Sequence, residues 1–157
     1  MAGDDVVGAF TEFVREVEPR LRQSLIAALG AETGREATAE ALAWAWEHWP
    51  RLTVMANPAG YLYRLGRNRG SSMLRRRPDF PLVPDPVGDG PWVEPGLPGA
   101  LVRLSQTQRV VVLLIYGFGW THQEVAAHLG VARSTVQTHA ERGMARLRRE
   151  LKVEAHV

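Results

Sequence analysis

Apolar residues recur at three- and four-residue spacing near the start of the chain, at Phe10, Phe13, Val14, Val17, Leu21, Leu25 and Leu29. This spacing puts them on one side of an α-helix that Gly30 ends, with Pro19 expected to kink or restart it. A second helix is predicted over residues 35–49 on Ala37, Ala41, Leu42, Ala45, Trp46 and Trp49, stopped by Pro50. Trp44 falls off that stripe and is expected to face outward, toward a partner. A third helix starts at Asn57-Pro58, a capping residue followed by proline at the first helical position, and runs through Tyr61, Leu62 and Leu65 to Arg77. Residues 1–77 therefore read as a small helical bundle.

The periodicity stops at residues 78–99, which hold seven of the ten prolines and four glycines. Proline removes backbone donors and glycine costs entropy, so this stretch is expected to be a linker. Periodicity resumes in residues 100–157. Ser105-Gln-Thr-Gln108 is a capping-box pattern that opens a helix with Val110, Val111, Leu114 and Ile115, closed by Gly117 and Gly119. Thr121-His-Gln-Glu124 is a second such box, followed by Val125, Ala126, Leu129 and the turn residue Gly130. A longer helix then aligns Val136, Ala140, Gly143 and Leu147 on one side. Helix, glycine turn, helix is the order of a helix-turn-helix. The fold class expected is all-α, two small helical domains joined by a Pro/Gly-rich linker.

Charge sharpens this division. The chain has 19 basic and 17 acidic residues, a formal charge of +2, but the signs are sorted. Residues 1–60 carry five Arg and nine acids, and residues 61–77 carry six Arg and no acid. The linker has four acids and no base, and residues 100–157 have eight bases against four acids. Two basic segments flanking an acidic one suit a ligand with phosphates at two separated places. On the third helix Arg64, Arg67 and Arg75 share a broad face with Tyr61, Tyr63 and Asn68, a mixture that neutralises phosphate and can stack on unpaired bases. On the last helix Arg133, Ser134, Gln137, Thr138, Glu141 and Arg142 lie opposite the apolar stripe. There Arg133 can pair with guanine and Gln137 with adenine, while Arg142, Arg146, Arg148 and Arg149 suit phosphates.

Composition closes other chemistries. With no Cys there is no disulfide, thiol nucleophile or Cys-ligated metal. His122 and His128 are at the wrong offset to ligate one metal from a helix face, and no Gly-rich phosphate loop or nucleophile elbow is present. No catalytic residue, metal site or cofactor is expected. No apolar run is long enough for a membrane span, and the acidic N-terminus is unlike a secretory signal, so a cytoplasmic protein is expected.

The two halves together resemble an extracytoplasmic-function sigma factor, of the sigma-70 family of bacterial RNA polymerase subunits. Residues 10–77 are similar to its region 2, through Ala45-Trp46 and Pro58-Ala-Gly-Tyr-Leu-Tyr-Arg-Leu-Gly-Arg-Asn68. Residues 100–150 are similar to its region 4, through Leu104-Ser-Gln-Thr-Gln-Arg109, Gly119-Trp-Thr-His-Gln-Glu-Val-Ala126 and Leu129-Gly-Val-Ala-Arg-Ser-Thr-Val136. The resemblance implies core RNA polymerase and promoter DNA as partners, with room for an anti-sigma protein. It implies that region 2 captures the minus-ten element through Tyr61, Arg64, Arg67, Asn68, Arg75 and Arg76, beside a base-capturing loop at residues 51–57. It implies that region 4 reads the minus-thirty-five element through Arg133, Ser134, Gln137, Thr138, His139 and Arg142. Polymerase contact is expected at Glu36, Glu40 and Trp44, of which the two glutamates keep the acidic character of the family's second helix. Tyr61 stands where the family usually has tryptophan. The rival readings are a helix-turn-helix regulator outside this family, whose first domain senses or dimerises, an RNA-binding adaptor and, with least support, an enzyme.

Overall fold

The computed structural model describes residues 2–76 and 95–155. All regular structure among them is helical, as expected, and it falls into two compact units. The first contains α1 (Ala2–Leu29), α2 (Ala31–Glu47), α3 (Trp49–Leu52) and α4 (Pro58–Arg76). The second contains α5 (Leu97–Arg103), α6 (Gln106–Val112), a π-helical turn (Leu113–Gly117), α7 (His122–Leu129) and α8 (Arg133–Ala155). Most of the expected linker, residues 78–99, lies outside the described residues.

In the first unit α1 runs unbroken through Pro19, so the proline does not restart the helix. Proline deprives the Arg15 carbonyl of its helical donor. Both residues are exposed, so water can satisfy that carbonyl. The core begins beyond the proline, where Leu21, Leu25 and Leu29 are fully buried. Two neighbouring helices reach this leucine ridge through glycines. A Cβ on Gly34 of α2 would stand 2.6 Å from the Ile26 backbone, and one on Gly66 of α4 would stand 2.7 Å from Leu25. The helices can pack this closely only where side chains are missing.

Helix α2 buries Gly34, Ala37, Thr38, Ala41, Trp44 and Ala45. The stripe is therefore rotated from the one expected through Trp46 and Trp49. Trp44 follows Ala41 by three residues and Ala37 by seven, so it continues the small-residue side that meets α1 and α4. Trp46 is 46% exposed and touches Phe10, with ring centroids 5.0 Å apart. Pro50 does not stop α2. His48 caps it, and Pro50 sits in the first turn of α3, where its missing N–H goes unneeded. At the start of α4 the Gly60 N–H donates to Asn57 Oδ1 at 3.0 Å, the cap read from the sequence.

In the second unit both predicted capping boxes form. The Gln108 N–H donates to Ser105 Oγ at 3.2 Å, and the Glu124 N–H donates to Thr121 Oγ1 at 3.1 Å, each with the reciprocal side-chain bond present. Gly130 ends α7 at φ 70°, a left-handed conformation that costs glycine little. Helix α5 is new relative to expectation, since it starts three residues inside the presumed linker. Gly96 caps it and Pro98 lies in its first turn, so the residues that argued against a helix occupy the positions a helix start accepts. Ala100 and Leu104 join Val112 and Leu147 in a common core, and Arg103 pairs with Glu150 of α8 at 3.1 Å.

Candidate nucleic-acid interface

Helix α8 separates packing from presentation along its length. Val136, Ala140, Gly143 and Leu147 are buried, and Gly143 accepts the close approach of Val112 from α6. Arg133, Ser134, Gln137, Thr138, Glu141 and Arg142 are all exposed on the opposite side. Two intrahelical bonds order this face: Gln137 Nε2 donates to Glu141 Oε1 at 3.2 Å, and Thr138 Oγ1 donates to the Ser134 carbonyl at 3.0 Å. The start of α8 follows the Gly130 turn, so Arg133 and Gln137 are held at the leading end. This is the end that enters the major groove when a helix-turn-helix meets duplex DNA. His139 is less open than its neighbours on this face. It is half-buried, with Nδ1 enclosed and without a hydrogen-bond partner among the described residues. Its place three residues after Val136 and one before Ala140 turns it toward the core side.

Helix α4 mixes the two roles. Arg64, Asn68, Arg75 and Arg76 are exposed and Tyr61 is half-buried, so these expected contacts reach the surface. Arg67 is half-buried, its guanidinium carbon 5.7 Å from the centre of the Tyr63 ring. Tyr63 itself is only 2% exposed and belongs to the core, not to the cationic face on which the sequence placed it. Arg75 donates to Ser72 Oγ at 3.1 Å, which draws its head along the helix. The remaining arginine of the run among the described residues, Arg69, faces α2 and lies 3.9 Å from Glu40. That pair is exposed on both sides and is worth about 0–1 kcal/mol.

The three residues expected to meet polymerase are placed differently from one another. Glu40 is exposed and Glu36 is half-buried. Trp44 is buried and cannot be a contact surface, because the small-residue stripe of α2 carries it inward. Around it stand His48, which the sequence reading passed over, and Arg51 and Tyr61, which it named for other roles. The His48 ring lies parallel to the indole at 4.3 Å and 14°, the Arg51 guanidinium carbon is 5.8 Å from its centre, and Tyr61 packs at 5.1 Å. The signal was available in the four-residue spacing of Trp44 and His48. Among the described residues no three His, Asp or Glu side chains gather as metal ligands, and no helix is long and apolar enough to cross a membrane.

Comparison with known proteins supplies the context for this geometry. Residues 97–147 match the family Sigma-70, region 4, which takes in α5 to α8 as far as Leu147. No curated protein matches significantly. Among solved structures, the sigma factor RpoE of Bartonella quintana, crystallised in complex with the anti-sigma factor NepR, is similar at a TM-score of 0.64 and 24% identity. The match covers 92% of this chain and 98% of that one. Residues 97–147 are thus similar to sigma-70 region 4, and the chain shares the fold of a sigma factor of known structure.

Proposed function

We propose that the chain acts as a sigma factor of the extracytoplasmic-function type, which binds core RNA polymerase in the cytoplasm and directs it to promoters. The observation that carries this reading is the exposed face of α8 inside a region 4 match, joined in one chain to a second helical unit with its own arginine face. In this reading Arg133 and Gln137 choose bases of the upstream element, and Arg142, Arg148 and Arg149 hold phosphates. Each good bidentate contact discriminates by about 1–3 kcal/mol. Helix α4 takes the non-template strand of the downstream element along Tyr61, Arg64, Asn68, Arg75 and Arg76.

Opening DNA costs a few kcal/mol for each base unstacked, and stacking plus phosphate contacts to the released strand repay it. Nucleotide addition belongs to polymerase, so this subunit needs binding surfaces and no reactive group. Glu36 and Glu40 are the acidic residues of α2 assigned to polymerase contact. A protein of the anti-sigma class, which the B. quintana structure holds in complex, is the proposed inhibitory partner.

Run-off transcription with purified core polymerase and a promoter library tests this. The expected result is co-purification with core and a defined set of start sites. Binding to duplex DNA without core, with no start site directed, would instead support a helix-turn-helix regulator.

A further inference from the structure

The exposed face of α8 carries one residue that DNA binding alone does not account for. Between Arg133 and Arg149 the helix has five arginines and a single acid, Glu141. It lies on the same exposed face as Arg133, Ser134, Gln137, Thr138 and Arg142. A carboxylate here repels the phosphates that those arginines attract, and so weakens binding to DNA of any sequence. No ion pair offsets this. The residues three and four positions away are Gln137, Thr138, Met144 and Ala145, and Glu141 meets no cation among the described residues. Its bond is to Gln137, whose Nε2 donates to Glu141 Oε1 at 3.2 Å. A carboxylate only accepts, so the nitrogen end of the amide must face Glu141 and the oxygen end must face away. One N–H is thereby engaged, which leaves the other N–H and Oε1, the donor and acceptor that adenine meets with N7 and its amino group. Glu141 Oε2 has no partner among the described residues.

We propose that Glu141 is a specificity-determining residue of α8: it positions the Gln137 amide for adenine, and its second carboxylate oxygen accepts from the amino group of a cytosine at a neighbouring base pair. An amide already held in one orientation loses little freedom when it meets its base. Guanine and thymine present acceptors at their major-groove edge, and a carboxylate opposite an acceptor is left desolvated and unpaired. The acid thus lowers affinity for every sequence, and lowers it least for the right one. The inference deepens the proposed reading of the upstream element and rests on it.

Holoenzyme assembled from the full chain and core polymerase is given a forked promoter probe, single-stranded over the downstream element and randomised over the upstream duplex, and the bound fraction is sequenced. The wild-type chain should select adenine at one position and cytosine at a neighbouring one. Glu141→Ala should flatten both preferences by about five- to tenfold and, with a negative charge gone, bind unselected duplex more tightly. Glu141→Gln keeps an acceptor for Gln137 and loses the charge, so it should keep the adenine preference and lose the cytosine one. Core association and thermal unfolding should be unchanged in both variants, because the bond is exposed and lies within one helix. Selection by Glu141→Ala identical to wild type, or tighter binding to all duplexes with both preferences intact, would make Glu141 a solvated acid and overturn its role while the sigma reading stands. A wild-type chain that does not join core would overturn the sigma reading and this role with it.

Discussion

Helices α4 and α8 are both basic, yet they use their arginines differently. Helix α8 is anchored along one stripe, Val136, Ala140, Gly143 and Leu147, and Arg133, Ser134, Gln137, Thr138, Glu141 and Arg142 opposite it are exposed. Helix α4 is wedged against both α1 and α2, with Gly60, Gly66 and Gly70 buried along its length. Two packing sides leave less circumference for solvent, and the five arginines from residue 64 to 76 are divided as a result. Arg67 lies along Tyr63 and Arg69 turns to Glu40, while Arg64, Arg75 and Arg76 stay exposed. A helix that reads duplex DNA needs one clean face. One that guides a single strand can share its surface with the bundle, because the strand bends to what is offered.

The largest effect should come from the clean face. Arg133→Ala combined with Gln137→Ala should weaken binding of holoenzyme to the upstream element by about 2–4 kcal/mol, with core association unchanged. Titration of upstream duplexes checks this. Arg64→Ala with Arg75→Ala should leave base preference alone and lower the slope of log affinity against log salt by about 1–2 on a forked probe. Equal sequence effects from the two pairs would erase the contrast between the helices.

Packing supplies the next test. Gly34→Ala would drive a methyl group into the Ile26 backbone, which cannot move aside, and should destabilise the first unit by about 2 kcal/mol. Hydrogen exchange resolved by residue should show the loss in α1, α2 and α4 and leave α6 to α8 unchanged. Thr121→Ala removes one capping oxygen from α7 and should cost the second unit about 1 kcal/mol by the same measurement. Gly8→Ala is the smallest change: nothing lies within 4 Å of its Cβ, so α1 should gain about 0.5–1 kcal/mol in helix propensity. Loss of stability there would mean that the outer half of α1 packs on something.

What the sequence revealed follows the same division. The capping boxes at Ser105 and Thr121, the Asn57 cap and the Gly130 turn are local events among residues a few positions apart, and all four form as read. The exposed polar face of α8 was legible because a single apolar stripe defines its opposite. The interior of the first unit was not legible in the same way. Trp44 and Trp46 are both large and apolar. Trp44 continues Ala37 and Ala41 at helical spacing and Trp46 continues Leu42, so which one turns inward depends on where α1 and α4 cross α2. Tyr63 was misplaced for a related reason, since it borders a buried stripe and neighbouring helices decide the matter. Helix α5 was hidden by composition, because the proline and glycine that usually signal a break here occupy its first turn and its cap.

The glycines at the α1 contact carry a consequence for how this chain can vary. Gly34, Gly66 and Gly70 add no apolar area and no hydrogen-bonding side chain, so by chemistry alone they look replaceable. Each is instead a point where two helices share one volume, and even the smallest side chain would compete for space already filled by Ile26, Leu25 or Leu29. In a library of point variants these three positions should tolerate fewer residues than the arginines beside them, and a change in Leu25 or Leu29 to something smaller is the substitution that would let Gly66 or Gly70 drift, while Gly34 stays fixed by backbone.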